Sequence, residues 1–232
     1  MSIVYTQLNN ETHSKLKIKP NAKFPHLNEQ QLVPVIVHEL SRLATEYPLV
    51  FVKNSETGEF QLVALLGLKQ GQNLCLDGDK WNGLYIPEGI SYFPLALTPS
   101  EESKDQMFVA IAAESDLVNE EEGLALFDDS GDESEFLKKQ KNGLLRYYEN
   151  SQVTRGFCQF LADNELLTLR NLSVKLNDKQ ADVNGVYLVD EKKLTELADD
   201  KFTDLRKRGF LPPIYSHLVS MHQLKRLAEK AM

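Results

Sequence analysis

Two apolar runs set the architecture of this chain: Leu49-Val50-Phe51-Val52 and Leu62-Val63-Ala64-Leu65-Leu66. Residues 54–59 between them are polar and contain a glycine, a combination that predicts a β-hairpin. The second run is continuous rather than alternating, which predicts a strand covered on both faces. Upstream, apolar residues at helical spacing over residues 39–46 predict a helix, and Pro48 ends it because a proline restricts the residue before it.

The second half of the chain carries helical patterns and one further strand pair. Residues 134–163 repeat apolar side chains at helical spacing, with carboxylates near the start that complement the helix dipole. Residues 172–176 and 185–189 predict two strands around a turn at residues 177–184. Pro212-Pro213 is expected to open a single final helix.

These patterns predict an α+β fold. Its mainly antiparallel sheet lies in the N-terminal half, built from strands between residues 49 and 113, and helices from the C-terminal half pack on it. We expect one domain over residues 1–232. Its parts are a polar N-terminal segment (1–27), a sheet-rich core (28–118), an acidic loop (119–133) and a helix-rich part (134–232).

Charge and hydropathy exclude two kinds of partner. The net charge of −8 argues against non-specific nucleic-acid binding, which needs a basic surface. The longest apolar runs are far shorter than the ~20 residues of a membrane helix, and the first residues lack the basic and apolar regions of a secretory signal. We therefore expect a cytoplasmic protein without a membrane span. Residues 201–230 hold seven basic residues against two acidic ones, which suits docking of an acidic partner or a solvated helix surface.

Motifs for metal binding are incomplete. Cys75 and Cys158 lie far apart in apolar patterns, which favours buried free thiols. His217 and His222 are five residues apart and point ~140° away from each other on a regular helix, so they cannot share one metal ion. In the acidic loop, an EF-hand alignment with Gly131 at its sixth position would place Leu126 at the first, where leucine cannot ligate calcium. A turn that caps the following helix explains this loop better.

Motifs for catalysis and for bound cofactors are absent from the sequence. It contains no Gly-x-Ser-x-Gly elbow, no phosphate-binding glycine loop and no dinucleotide fingerprint. We therefore predict no catalytic residue, no metal site and no cofactor.

The aromatic residues around the middle of the chain are the best candidates for binding. Tryptophan and tyrosine combine apolar area with a polar tip, so they often anchor protein interfaces. The same residues near prolines also simply close irregular loops over a core. The candidate binding residues are Tyr47, Trp81, Tyr85, Tyr92 and Phe93.

The central block resembles the SapC family of bacterial proteins, named after a surface-layer-associated gene product. The residues that carry the resemblance are Tyr47-Pro48-Leu49-Val50-Phe51, Ala64-Leu65-Leu66-Gly67-Leu68, Asn73-Leu74, Trp81, Tyr85-Ile86-Pro87 and Phe93-Pro94. Family members often carry Cys-Ile-Asp-Glu where this chain has Ala110-Ile111-Ala112-Ala113. Losing that carboxylate weakens any mechanism built on it.

The resemblance implies an accessory or binding role in an envelope-related or modification pathway. Genes of this family commonly lie beside genes for TonB-dependent receptors, flavin halogenase-like proteins and cupin-like oxygenases, so a neighbouring gene product is one candidate partner. The main hypothesis is therefore a binding or adaptor protein that recognises a protein or peptide. Two alternatives stay open: an enzyme acting on a peptide or aromatic amino acid with a partner-supplied cofactor, and a structural component of a surface layer.

Overall fold

The computed structural model describes residues 3–20, 23–99, 106–176 and 179–231 of the chain. The strands are β1 (Thr6–Gln7), β2 (Lys17–Ile18), β3 (Leu32–Pro34), β4 (Leu49–Lys53), β5 (Phe60–Leu65), β6 (Leu76–Asp77), β7 (Lys80–Trp81), β8 (Leu95–Pro99), β9 (Met107–Ile111), β10 (Val118–Asn119), β11 (Leu124–Ala125), β12 (Leu167–Leu176) and β13 (Lys179–Val189). The α-helices are α1 (Asn10–His13), α2 (Leu40–Leu43), α3 (Glu88–Ser91), α4 (Glu135–Asp163), α5 (Glu191–Thr195), α6 (Asp199–Lys207), α7 (Leu211–Ser220) and α8 (Gln223–Glu229). Short 3-10 helices span Pro25–Leu27 and Val37–Glu39.

The chain folds into two compact units. The first comprises Met1–Ala22 and Glu88–Glu149, and the second comprises Lys23–Pro87 and Asn150–Met232. Helix α4 contributes its first half to one unit and its second half to the other. The single domain expected from the sequence stays a prediction.

The second unit is built on a five-stranded sheet in the order β12-β13-β4-β5-β3, and its neighbouring strands are antiparallel. Pro34 lies in the edge strand β3, where a missing backbone donor is tolerated. Phe51 of the sheet is buried against Phe157 of α4, with ring centroids 6.1 Å apart, and Phe157 packs on Phe210 at 5.2 Å. This aromatic series forms the centre of the core.

Helix α7 is bound to the same sheet by polar side chains. His217 is fully buried: its Nδ1 lies 2.7 Å from the carbonyl oxygen of Leu49, and its Nε2 accepts from the N–H of Val189 at 3.1 Å. Ser220 accepts from the N–H of Leu49 at 2.9 Å. In the described residues, β13 and β4 pair directly only at Tyr187 and Phe51. The imidazole of His217 connects the same two strands at a second place, between Val189 of β13 and Leu49 of β4.

The first unit contains two small sheets, β1-β9-β8 and β10-β2-β11, each antiparallel. A buried cluster joins them to the first half of α4; its members include Ile18, Leu95, Ile111, Leu126, Phe127, Leu137 and Leu144. Gly143 of α4 lies under the ring of Tyr92, and a Cβ there would come within 2.7 Å of it. An alanine here would have to displace the ring of Tyr92.

The ends of α4 follow known capping rules. The Ser134 hydroxyl accepts from the N–H of Leu137 at 3.1 Å, and the carboxylate of Asp128 accepts from the N–H groups of Ser130 and Asp132. The acidic loop is thus a turn that leads into the helix. At the other end, Glu165 has a φ of +54°. The N–H of Leu166 donates to the carbonyl oxygen of Leu161, and the N–H of Glu165 donates to that of Ala162, which is the hydrogen-bond pattern of a Schellman motif.

The α+β class with antiparallel sheets is confirmed, but details differ from the sequence prediction. The strands between residues 49 and 113 do not form a single sheet, since β8 and β9 pair in the first unit. The expected final helix is two helices, α7 and α8, interrupted at Met221 and His222. The strand pair of the C-terminal half is longer than predicted, and the tip of its turn, residues 177–178, lies outside the described residues. Among the described residues, no helix is both long and apolar enough to cross a membrane.

Candidate binding site around Trp81

The candidate site lies in the second unit, on the chain that leaves the β6–β7 hairpin. Gly78, with a φ of +59°, lies in the turn of that hairpin. On either side of the turn, Leu76 of β6 pairs with Trp81 of β7. The chain then runs through an exposed segment, residues 82–84, and returns to the protein at Tyr85. We call residues 82–85 the Leu84 loop.

A hydrogen-bond network centred on Tyr47 holds one end of the Leu84 loop. The hydroxyl of Tyr47 donates to the carbonyl oxygen of Tyr85 at 2.6 Å. The indole N–H of Trp81 is shared between the hydroxyl oxygen of Tyr47, at 3.0 Å, and the same carbonyl, at 3.2 Å. Burial raises the pKa of Tyr47 far above its ordinary value, so its hydroxyl remains a donor.

The neighbouring residue, Glu46, holds the tip of the loop. Both of its carboxylate oxygens accept from the N–H of Leu84, at 2.8 and 2.9 Å, and the side chain is almost fully buried. A Cβ on Gly83 would lie 2.5 Å from the Tyr47 hydroxyl and 2.7 Å from a Glu46 oxygen. Glycine at position 83 thus lets the loop backbone approach both anchors.

An aromatic wall supports Trp81 from the side. The ring of Phe24 meets the indole edge-on with centroids 5.8 Å apart, and the ring of Tyr47 lies 6.2 Å away. Phe24 is itself buried, and its N–H donates to the carbonyl oxygen of Asp79 in the hairpin turn. The half-buried indole is therefore part of the support of the loop.

Leu84 is exposed although its backbone is fixed. Its side chain is 95% exposed, the largest exposure among the large apolar residues of the described chain. Apolar side chains scattered on a surface are common. This one differs because a buried carboxylate and the buried Tyr47 hold its backbone in place.

Three basic side chains surround the loop. Lys230 donates to the carbonyl oxygen of Asn82 at 3.0 Å, and Arg226 donates to that of Thr45 at 3.4 Å. The guanidinium of Arg42 lies 5.6 Å from the centre of the Tyr85 ring. No carboxylate of the described residues forms an ion pair with these three side chains. The three cations share this surface with two carboxylates that contact the loop, those of Glu46 and Glu39, and so outnumber them.

The family comparison covers the part of the chain that forms this site. The SapC family model matches residues 8–227. The chain belongs to the SapC family. Comparison of this SapC protein with curated proteins and with solved structures gave no match.

The sequence-predicted binding residues of this SapC protein fall in two places. Tyr47, Trp81 and Tyr85 come together in the network described above. Tyr92 and Phe93 belong to the first unit, where the Tyr92 hydroxyl donates to Glu88 at 2.8 Å and the N–H of Phe93 donates to the carbonyl oxygen of Ile90. Burial raises the pKa of Tyr92 to about 12. A binding role for all five residues stays a prediction.

Sequence reasoning missed Leu84, Glu46 and Phe24. The signal for Leu84 was its position directly after Asn82-Gly83, a dipeptide typical of turns. An apolar side chain in such a loop is a candidate for exposure. Glu46 gave no signal, since a glutamate at the end of a helix is most often solvated.

Cys75, Cys158 and His217 are buried and contact backbone groups. Burial raises the pKa of the Cys75 thiol to about 11 and that of Cys158 to about 12, so both stay protonated and poorly nucleophilic at neutral pH. Both ring nitrogens of His217 are bound to backbone groups. Among the described residues, no group of three or more potential ligands is arranged to hold a metal ion.

Proposed function

We propose that this SapC protein binds a polypeptide partner through the Leu84 loop and acts by binding rather than by catalysis. The observation that carries the proposal is the exposed Leu84 side chain on a loop anchored by buried Glu46 and Tyr47. A preorganised apolar anchor loses little conformational entropy when a partner covers it, which favours affinity.

The charges around the loop support an acidic partner segment. Arg42, Arg226 and Lys230 lie beside the loop and outnumber the two carboxylates that contact it, Glu39 and Glu46. An acidic segment carrying an apolar residue would pair with these cations while its apolar side chain covers Leu84. Such charges mainly raise the association rate, so binding would weaken with added salt.

The family context supports an accessory role in an envelope-related or modification pathway. A neighbouring gene product is the first candidate partner. We treat the two compact units as parts of one functional domain, since the family match from residue 8 to 227 includes both.

The proposal is tested by recovering partners of the tagged full chain from its native host. The bait is compared with Leu84→Ala and with Leu169→Ala, a matched control whose leucine is 55% exposed in strand β12. A specific protein that is retained by wild type and by Leu169→Ala but lost from Leu84→Ala supports the proposal. Stoichiometric flavin or metal in the native protein, with turnover of a peptide or an aromatic amino acid, would instead establish the enzyme alternative.

Leu84→Ala is expected to weaken binding of the recovered partner by about 2 kcal/mol, the scale of an interface hot spot. The substitution removes the apolar anchor and leaves its backbone N–H bonded to Glu46. The free energy of unfolding should change by less than about 0.5 kcal/mol, because the side chain is exposed in the free protein. Isothermal titration and denaturant unfolding measure the two quantities. Equal affinity for wild type and Leu84→Ala would place the interface elsewhere.

Trp81→Ala is expected to weaken partner binding by about 2 kcal/mol or more, again a hot-spot effect. The loop loses the indole N–H that bonds Tyr47 and Tyr85, so it is no longer held for binding. The chain should still fold, because the indole is only half-buried. Circular dichroism and the same titration are measured together; collapse of the fold with binding intact in the folded fraction would make Trp81 a core residue only.

A further inference from the structure

The first unit contains a cleft of about 520 Å³ that the Leu84 loop does not use. Its floor is apolar and formed by Leu8, Leu97 and Val109, which are half-buried and pack on the buried cluster of this unit. Ligand clefts of proteins commonly have volumes of 300–1,000 Å³ and mostly apolar walls. The cleft is therefore large enough for a small organic molecule.

One wall of the cleft is the exposed face of α4. Leu145 lines the cleft and is 46% exposed. Leu145 therefore adds exposed apolar surface to that of the half-buried floor. A flat or elongated apolar body would cover both surfaces and remove them from water.

The mouth of the cleft is polar and carries an uncompensated negative charge. Lys141 and Glu133 both line it and form an ion pair with each other, so their charges cancel. Asp132 lines it as well and forms no ion pair among the described residues; Lys138, which lies close enough to act on Asp132, is itself paired with Glu135. Asn10 bonds the carbonyl oxygen of Gly131 at 3.0 Å and so ties the acidic turn to the start of α1.

We propose that this cleft binds a small amphipathic amine, with the apolar body on Leu97, Val109 and Leu145 and the ammonium group beside Asp132. A cation fits this mouth because the neighbouring lysine is already neutralised by Glu133. An anion would have to break that pair and would still face Asp132. The charge of the mouth and the apolar surface of the cleft thus favour the same class of ligand.

The test uses three probes with the same indole body: tryptamine, which is cationic, tryptophol, which is neutral, and indole-3-propionate, which is anionic. Methyl resonances of the full chain are followed by NMR during each titration. We expect tryptamine to bind most tightly and to shift the methyl groups of Leu8, Leu97, Val109 and Leu145. Equal affinity for the three probes, shifts confined to other methyl groups, or no shift with tryptamine would overturn the proposal.

Two substitutions separate the charge from the apolar surface. Asp132→Asn should weaken tryptamine about fivefold, the effect of one exposed ion pair, and leave tryptophol unchanged. Asp129→Asn makes the same change of net charge at an exposed residue outside the cleft and should leave tryptamine binding unchanged. Leu145→Ala should weaken all three probes alike. Leu145 is 46% exposed, so the variant should still fold, and its spectrum checks this. An equal effect of Asp132→Asn and Asp129→Asn would show that only the overall charge of the protein matters, and the site would be rejected.

Discussion

Replacing His217 with phenylalanine is expected to lower the free energy of unfolding by about 3 kcal/mol at neutral pH. The ring size is nearly kept, but the carbonyl oxygen of Leu49 and the N–H of Val189 lose their partners in a fully buried place. Each buried backbone group left unsatisfied costs about 1–3 kcal/mol. Denaturant unfolding measures the loss, and His222→Gln, at an exposed histidine, is the control and should change stability by less than about 0.5 kcal/mol.

The same histidine should make the wild-type protein less stable in mild acid. Burial lowers the pKa of His217 to about 4, whereas an unfolded histidine has a pKa of about 6.5. Between these values the unfolded state binds the extra proton, so the contribution of His217 is complete above pH 6.5 and is lost as the pH falls toward 4. The pKa difference corresponds to about 3 kcal/mol.

His217→Phe should remove this part of the pH dependence, and His222→Gln should keep it. Unfolding curves between pH 7 and pH 4 compare the two variants with wild type. A His217 ring that titrates near pH 6.5 in NMR spectra of the folded protein would contradict the assignment of a neutral, doubly bonded imidazole.

Gly67→Ala is expected to destabilise the protein by about 3 kcal/mol. A Cβ at this position would clash with the carbonyl oxygen of Gln72 and lie 2.8 Å from its carbonyl carbon, so the backbone must move. That movement disturbs a compact turn in which the N–H of Leu68 donates to the side chain of Gln72 and the N–H of Leu74 donates to the carbonyl of Leu66. Overpacking costs about 1–3 kcal/mol, and a lost buried hydrogen bond adds to it.

Gly156→Ala is the matched control and should have the opposite sign. Gly156 lies within α4, is exposed, and has open space where a Cβ would be added. Alanine in a helix interior is more stable than glycine by about 0.5–1 kcal/mol. Thermal unfolding of both variants gives the comparison. If the Gly67→Ala protein were as stable as wild type, the turn would have space for a Cβ, and the predicted clash with Gln72 would be wrong.

Local features of the fold could be predicted from the sequence because their causes are local. The β4–β5 hairpin follows from two apolar runs and a loop containing Gly58, which adopts a φ of +73°. The turn at Gly78 and the capped start of α4 likewise depend on residues within a few positions of each other. Such contacts need no knowledge of the rest of the chain.

The assembly of the sheets was decided by tertiary structure. The contact of β13 with β4 joins Tyr187 to Phe51, and the bridge beyond it uses a histidine from α7. The spacing of His217 and His222 argued against a shared metal ion on a regular helix, but it could not reveal that the helix is interrupted at His222 or that the His217 ring is buried between two strands. Apolar patterning identifies strands, whereas the choice of neighbours depends on which faces pack best once all the elements are present.

Sequence patterns were enough to predict the family, the α+β class and the aromatic residues from which the candidate site is built. The folded structure was needed to see that Tyr47 and Trp81 support a loop and that Leu84 is the side chain left exposed on it. The reason is physical: a sequence pattern records whether a side chain is apolar, but its exposure depends on whether another part of the folded chain covers it. For Leu84, the described residues that approach its backbone, above all Glu46, leave its side chain in solvent.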